Sequence, residues 1–194
     1  MLALGWAVWG GLHSVLIDPR REAVFCRRFP CLCPCFRLIY NALAVLTLIP
    51  LLLAGRALAG APLFSWSGPL LPVRVVLLGA AVYLAWGGAR QYDLGWVAGL
   101  AQLRPGGAGA RPPRATDLRT SGILARVRHP WYGSALLLLW THAGAYDAAG
   151  LVTSLTLSAY VVIGARLEER RLLRAHGRIY VEYRSRTAMF FPWP

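Results

Sequence analysis

Two adjacent carboxylates, Glu168 and Glu169, are the first residues whose type and position could do chemistry. The chain of 194 residues has eight Asp and Glu against 21 basic residues, so this pair is a quarter of the acidic side chains. Exposed helical ion pairs contribute about 0.2 to 0.5 kcal/mol each, which is too little to explain the placement. Successive helical residues point about 100° apart, so one carboxylate can face a pocket while the other pairs with an Arg.

A second group of residues lies upstream, where Arg128 to Gly133 reads R-H-P-W-Y-G. Pro130 suits the first turn of a helix, and the amides that follow it form an anion site together with Arg128 and His129. The alternative interpretation is a basic boundary of a membrane helix, with Trp131 and Tyr132 as interface anchors. The two groups together could bind a molecule that carries both charges.

The elements that must position these groups are membrane helices. Hydrophobic residues make up 57% of the chain and the mean hydropathy is +0.48, which is too apolar for an ordinary soluble domain. We predict an all-α integral-membrane fold with five transmembrane helices, the last two forming a tight hairpin, and a cytoplasmic C-terminal helical segment. The five apolar runs cover residues 1–17, 38–55, 70–89, 131–146 and 149–165.

The arginines separate by side of the membrane. With the N-terminus outside and the C-terminus cytoplasmic, residues 18–37, 90–130 and 166–194 face the cytoplasm, and all 21 arginines except Arg56 and Arg74 lie in these segments. This is a strong positive-inside signal, and it explains the basicity without nucleic acid as a partner. Residues 18–37 are predicted to be a basic loop at the headgroup level, and Arg104 to Arg114 a flexible segment.

All four cysteines fall between Cys26 and Cys35, in the spacing C-x4-C-x-C-x-C. This spacing fits none of the common structural zinc patterns, so we predict membrane-proximal thiols and no metal site. Binding of a soft metal through thiolates is the alternative.

The motifs resemble a known superfamily. R-H-P-W-Y is followed about 35 residues later by L-E-E-x-x-L-L-x-x-x-G-x-x-Y-x-x-Y and a terminal F-P. This arrangement is similar to the isoprenylcysteine carboxyl methyltransferase and phospholipid N-methyltransferase superfamily of integral-membrane enzymes, and it covers residues 118–192. In the first half, G-L-H-S at Gly11 to Ser14 and F-R-L-I-Y-N at Phe36 to Asn41 look more like the bacterial branch that includes methanethiol S-methyltransferases and NnrU-type proteins.

The resemblance implies a single methyltransferase domain over residues 1–194, in a bacterial inner membrane, with an S-adenosylmethionine site formed by residues 118–192. Glu168, and with it Glu169, would hold the ribose or the ammonium group of this cofactor. Tyr180 and Tyr183 would close the pocket from the cytoplasmic side. The remaining residues implied at the cofactor site are Arg128, His129 and Tyr132.

Two residues are candidates for the catalytic step. At Gly164 the isoprenylcysteine branch has an Arg, so the resemblance does not extend to an arginine that orients a carboxylate substrate, and Arg166 is the nearest candidate. A thiol acceptor must lose a proton, and surrounding arginines could lower its pKa, or His13 or His176 could serve as base. His13 in the first apolar run is the sharper candidate, since polar residues within membrane spans are costly and often functional. A structural His13, bonded to a neighbouring helix, is the alternative.

The function predicted from the sequence is therefore an S-adenosylmethionine-dependent membrane methyltransferase. Its partners would be membrane lipids and a small thiol or lipid-like acceptor that arrives through the bilayer. The alternative is a non-catalytic accessory or transport protein of the same fold, similar to NnrU-type proteins.

Overall fold

The computed structural model describes residues 1–104 and 118–192. Most of the predicted flexible segment from Arg104 to Arg114 lies outside these residues. The described residues are nearly all helical. Three of their helical segments are long and apolar enough to cross a membrane, namely Pro30–Ala57, Leu70–Ala89 and Ala148–His176. The integral-membrane prediction is supported to this extent, and the count of five spans stays a prediction.

The helices follow the predicted apolar runs closely in the middle of the chain. The third run, residues 70–89, coincides with a helix, whereas the fourth is shorter than predicted and the fifth is longer. The α-helices are α1 (Leu2–Leu16), α2 (Pro19–Arg28), α3 (Phe36–Ala57), α4 (Leu70–Ala89), α5 (Leu94–Ala98), α6 (Pro130–Thr141), α7 (Ala148–His176) and α8 (Arg178–Arg186). Two short strands, β1 (Phe64–Ser65) and β2 (Ala145–Tyr146), pair antiparallel. Among the described residues, 3-10 helices cover Pro30–Cys35, Ala101–Leu103 and Gly122–Ala125.

The prediction of a basic loop over residues 18–37 is wrong, because most of this segment is helical. Asp18 caps α2 by accepting a hydrogen bond from the Arg20 amide at 2.8 Å, and Pro19 occupies the first turn. An Asp-Pro pair is a strong start signal for a helix, since the carboxylate satisfies a free amide and proline has none to satisfy. The basic composition concealed this local signal.

The first of two compact units comprises Met1–Ala59 and the described part of Asp93–Pro112. Here α1 packs against α3, and the Trp9 indole donates to the Ala44 carbonyl at 3.3 Å. Arg37 holds α5 to α3, since its Nε donates to the Val97 carbonyl at 3.2 Å and its guanidinium lies 4.0 Å from the centre of the Trp96 ring.

The cysteines lie in the same unit. Cys26 and Cys33 form a disulfide, whereas Cys31 and Cys35 are free thiols. The prediction of four ordinary thiols is therefore correct for two of them. Within residues 1–104 and 118–192, no group of three or more His, Cys, Asp or Glu could hold a metal ion.

The second unit comprises Gly60–Tyr92 and the described part of Pro113–Pro194. Small residues allow α4 and α6 to pack closely, and Ser134 Oγ donates to the Ala81 carbonyl at 2.8 Å. Next to this contact a hydrophobic core forms from Leu84, Ile123, Leu124 and Val127, with Leu137 and Phe191 packed on it. On its other side α6 contacts α7, where the Trp140 indole donates to Ser158 Oγ at 3.0 Å.

A side chain from α4 caps the C-terminal end of α6. Arg74 Nε donates to the Thr141 carbonyl at 2.8 Å, and Arg74 Nη2 donates to the His142 carbonyl at 3.2 Å. A guanidinium at this end satisfies carbonyls that have no partner within the helix. The chain then leaves the helix and forms β2, so that the last residues of the fourth apolar run are not helical.

The C-terminal segment folds back onto the start of α6. The Arg128 amide donates to the Ala188 carbonyl at 2.9 Å, and the His129 amide donates to the Met189 carbonyl at 3.0 Å. At Gly133 a Cβ atom would lie 2.5 Å from the Phe190 carbonyl oxygen, so the close approach of the two backbones requires glycine. This arrangement places residues distant in sequence around the beginning of α6.

Candidate functional site

Arg128 is held rigidly between α7 and the C-terminal segment. Its side chain is buried, and its Nε donates to Glu169 Oε1 at 2.7 Å. Its Nη1 atom donates to the Arg184 carbonyl at 3.1 Å and also to the Thr187 carbonyl. Two of its three guanidinium nitrogens thus bond to α7, α8 and the residue that follows α8.

Glu169 is the centre of this buried cluster, which we call the Glu169 network and which comprises Arg128, His129, Glu169 and Tyr180. The Glu169 side chain is 9% exposed. Its Oε1 atom accepts a hydrogen bond from the Tyr180 hydroxyl at 2.9 Å and lies 3.1 Å from His129 Nε2. A buried carboxylate is tolerated only when it is paired and hydrogen-bonded, and the network meets both conditions.

Tyr180 and Tyr183 lie on α8 and are both buried. Burial raises the pKa of the Tyr180 hydroxyl well above its usual value, and the hydrogen bond to Glu169 raises it further. Burial likewise raises the pKa of Tyr183 to about 12. The Tyr183 hydroxyl donates to the Leu124 carbonyl at 2.6 Å, so both phenols stay protonated and act as donors that fix α8 in place.

Glu168 has a different environment from its neighbour. Its side chain is 44% exposed, and its Oε2 atom lies 3.9 Å from His129 Nδ1. The His129 imidazole therefore lies between two carboxylates, with Nε2 toward Glu169 and Nδ1 toward Glu168. The Tyr132 ring stacks on the imidazole with the ring centres 5.5 Å apart. An accessible carboxylate beside aromatic rings is suited to a cationic group.

Tyr92 belongs to the same surroundings, although it is not among the residues predicted from the sequence. Its ring centre lies 4.7 Å from that of Trp131. Burial raises the pKa of Tyr92, and the nearby Glu168 carboxylate raises it further. Tyr92 precedes the motif-bearing part of the chain, and the one signal that could have revealed it is its position directly after the third apolar run.

The two catalytic candidates lie in different places. Arg166 is exposed on α7, and no hydrogen bond or ion pair among the described residues involves its side chain. His13 lies in the first unit, where its ring stacks on Trp9 and the Tyr40 hydroxyl is 2.5 Å from Nε2. The structure therefore brings together Arg128, His129, Tyr132, Glu168, Glu169, Tyr180 and Tyr183 within the second unit, while the roles of Arg166 and His13 stay predictions.

Comparison with known proteins identifies relatives that match part of this chain. It is 33% identical over 87 residues to methanethiol S-methyltransferase 1 of Bradyrhizobium diazoefficiens, a match covering 45% of this chain and 29% of that protein. The chain resembles the methanethiol S-methyltransferases. A methanethiol S-methyltransferase of Pseudomonas deceptionensis is 33% identical over 84 residues, covering 42% of this chain and 32% of that protein.

A third methanethiol S-methyltransferase, from Mycobacterium tuberculosis, is 27% identical over 113 residues, or 58% of this chain and 37% of that protein. The chain thus spans roughly a third of the length of the methanethiol S-methyltransferases that it matches. No family model and no solved structure matches the chain. The predicted resemblance to the methanethiol S-methyltransferase branch is confirmed.

Proposed function

We propose that this chain is an integral-membrane methyltransferase that uses S-adenosylmethionine and methylates a small thiol. The observation that carries the proposal is that two neighbouring carboxylates differ in burial and in pairing. Glu169 is buried and its Oε1 atom bonds to Arg128, His129 and Tyr180, whereas Glu168 is 44% exposed beside His129 and Tyr132. The names of the relatives, all methanethiol S-methyltransferases, support methyl transfer to a small thiol and give the accessory alternative no support.

The residues around Glu168 fit the charges of the proposed cofactor. When bound, S-adenosylmethionine supplies a methyl group activated by a positively charged sulfur. Glu168 is the residue that would hold its ammonium or ribose group, with the rings of Tyr132, His129 and Tyr92 close enough to favour a cation. Arg184, whose side chain is 55% exposed and whose Nη1 atom also lies 3.9 Å from Glu169 Oε2, is our candidate cation for the carboxylate end.

The start of α6 has two amides that would meet an anion. Pro130 has no amide hydrogen, and the amides of Arg128 and His129 already donate to the Ala188 and Met189 carbonyls. The Gly133 amide donates to the His129 carbonyl at 2.9 Å, so the amides of Trp131 and Tyr132 are the ones left for an anion at this helix end. The Glu169 network acts behind this surface, since it fixes His129 in position and keeps the charge of Arg128 compensated.

The same proposal includes the arrangement in the membrane. Five spans, an N-terminus outside and a cytoplasmic C-terminus in a bacterial inner membrane would place Glu168 on the side where a soluble cofactor is available. The acceptor would arrive through the bilayer, and lipid-like acceptors are the second class to be tested. For the thiol, His13 is the proposed base and Arg166 an exposed cation two residues before Glu168 that would favour the thiolate.

Two measurements on the full chain in detergent or nanodiscs test this function. Calorimetry is expected to show binding of S-adenosylhomocysteine. Methyl transfer from labelled S-adenosylmethionine to a panel of small thiols, phosphatidylethanolamine and prenylcysteine is expected to label thiols most strongly. Absence of S-adenosylhomocysteine binding contradicts the proposal. Binding without transfer to any acceptor would favour the accessory alternative.

A further inference from the structure

The short helix α2 carries a strongly basic surface that the proposed function does not use. Four of its ten residues are arginines. Because successive helical residues are offset by about 100°, all four fall within an arc of roughly 120°, and Val24 lies in the middle of this arc. We call this surface the α2 basic face, and its arginines are Arg20, Arg21, Arg27 and Arg28.

Contacts of other α2 residues leave the basic face turned outward. The centre of the Phe25 ring lies 5.2 Å from that of Phe36 at the start of α3, and Cys26 forms the disulfide with Cys33. Phe25 and Cys26 both lie outside the arc of the arginines and are partly buried. The four arginines and Val24 are exposed. The orientation of α2 is therefore fixed by packing on α3 and by the disulfide.

The guanidinium groups of the α2 basic face have no counter-ion among the described residues. Within residues 1–104 and 118–192, no hydrogen bond or ion pair involves any of these four side chains, and Arg20 bonds to Asp18 through its backbone amide alone. Like charges gathered on one surface repel one another. An anion from outside this part of the chain would relieve the repulsion.

The neighbouring elements indicate which anion meets this surface. The helix begins three residues after the apolar α1 ends, and it ends two residues before Pro30–Ala57, which is long and apolar enough to cross a membrane. Val24, Phe29 and Leu32 are exposed apolar side chains of the same segment. A basic helix with exposed apolar residues, set between apolar helices, is suited to the headgroup region of a bilayer. Lipid phosphates are the anions of that region.

We propose that the α2 basic face binds the headgroups of anionic phospholipids in the membrane that holds the chain. The guanidinium groups pair with the headgroup charges, while Val24, Phe29 and Leu32 contact the start of the acyl chains. A basic residue near an anionic bilayer surface strengthens binding roughly five-fold. The lipid is a bound ligand of α2 and takes no part in methyl transfer, so this inference is independent of the proposed function.

The test measures lipid affinities of the full chain in detergent by native mass spectrometry. Phosphatidylglycerol is compared with phosphatidylcholine of the same acyl chains, since the two lipids differ in net charge. Neighbouring arginines share headgroups, so we expect phosphatidylglycerol to bind the wild type about 10- to 100-fold more tightly, less than four independent contributions would give. Glycerol 3-phosphate, which has the phosphate without acyl chains, is added as a soluble competitor and should not displace the lipid.

Three variants locate the binding. The quadruple variant Arg20→Gln, Arg21→Gln, Arg27→Gln and Arg28→Gln removes the charge and should reduce the preference for phosphatidylglycerol to within ~2-fold. Lysine at the same four positions keeps the charge and should retain most of the preference, which separates loss of charge from loss of fold. The matched control removes equal charge from exposed positions of α7 and α8, through Arg170→Gln, Arg171→Gln, Arg174→Gln and Arg178→Gln. It should bind as the wild type does.

Several results would overturn the proposal. They are equal affinities of the wild type for the two lipids, an unchanged preference in the glutamine variant of α2, and loss of the preference in the lysine variant. The same loss in the α7 and α8 control would assign the effect to the total charge of the chain. Displacement by glycerol 3-phosphate would make a free phosphate the ligand. No cofactor or methyl acceptor is present, so failure of the proposed function would leave these outcomes unchanged.

Discussion

The two units of this chain differ in how their buried polar side chains find hydrogen-bond partners. In the second unit, the Glu169 carboxylate is buried and bonded to a guanidinium, an imidazole and a phenol. In the first unit, the His13–Tyr40 pair lies at a cavity with no charged lining residue among those described. A buried charge requires several donors at once, whereas a neutral pair requires one partner. The second unit therefore contains a buried ionic network, whereas the polar pair of the first unit lies at a cavity whose described lining residues are uncharged.

The largest expected effect comes from Glu169→Gln. This change leaves the Arg128 guanidinium buried without its counter-ion, and removing one partner of such a pair costs about 3 to 5 kcal/mol. His13→Leu, which removes a neutral partner in the first unit, is expected to cost only ~1 kcal/mol. Denaturant unfolding of both variants in detergent measures the difference. Equal costs would show that the comparison between charged and neutral pairs is wrong.

Two controls sharpen this result. Glu182→Gln removes an exposed carboxylate that pairs with Arg178 on α8, and such a change should alter stability by no more than ~0.5 kcal/mol. The double variant Arg128→Met with Glu169→Met removes both charges together, so it is expected to cost less than either single change.

The second prediction distinguishes Glu168 from Glu169 by ligand affinity. Glu168→Gln removes the accessible charge. If Glu168 contacts the cofactor, this change should weaken binding of S-adenosylhomocysteine about 10- to 100-fold, the equivalent of about 1.5 to 3 kcal/mol. Its stability should change by less than ~0.5 kcal/mol, because the side chain is half exposed. Calorimetry and unfolding on the same preparation distinguish the two effects. Wild-type affinity in Glu168→Gln would remove this residue from the cofactor site.

A third comparison concerns close packing in the two units. Gly133→Ala would place a Cβ atom 2.5 Å from the Phe190 carbonyl oxygen, which belongs to the backbone. Gly5→Ala would place one 2.7 Å from Leu51 Cδ2, the end of a flexible side chain. We expect Gly133→Ala to cost about 1 to 3 kcal/mol and Gly5→Ala distinctly less, because a leucine can change rotamer. The unfolding free energies of both variants test this order. A larger loss in Gly5→Ala than in Gly133→Ala would contradict it.

The smallest expected effect is that of Tyr183→Phe, which removes the hydrogen bond to the Leu124 carbonyl and should cost ~1 kcal/mol. The pKa of Tyr183 is raised to about 12, so its protonated form is favoured in the folded state. The stability that this group contributes is fully present below pH ~10 and is lost as the pH rises toward its folded pKa. Tyr183→Phe should therefore lose less stability than the wild type between neutral and alkaline pH.

Unfolding curves recorded across this pH range measure the alkaline loss. Tyr83→Phe, a change at an exposed position of α4, is the matched control. The same alkaline loss in Tyr183→Phe and in the wild type would show that Tyr183 does not carry this dependence.

Part of the candidate site follows from local sequence rules. The helix over residues 70–89 matches its apolar run, and the angular offset of adjacent helical residues predicts that Glu168 and Glu169 face different surroundings. The start of α2 at Asp18 and Pro19 also follows from local rules, although the basic composition of the segment led to the prediction of a loop. These features depend on neighbours within a few residues, so the sequence is sufficient to predict them.

The partners of each carboxylate depend on the tertiary structure. Glu169 is the buried one because α8 supplies the Tyr180 hydroxyl and the start of α6 supplies Arg128 and His129. The Ala188 and Met189 carbonyls accept hydrogen bonds from the amides of Arg128 and His129, just before α6. Such contacts join residues 11 to 60 positions apart. Local propensity therefore does not determine whether Glu168 or Glu169 forms them.

The sequence by itself determined the apolar helices, the distribution of arginines and the resemblance to a methyltransferase superfamily, because each is a property of composition or local pattern. Only the tertiary structure decided that Glu169 holds the site together while Glu168 is left accessible, and that His13 and Tyr40 meet at a cavity. The physical reason is that burial and pairing depend on which helices pack together.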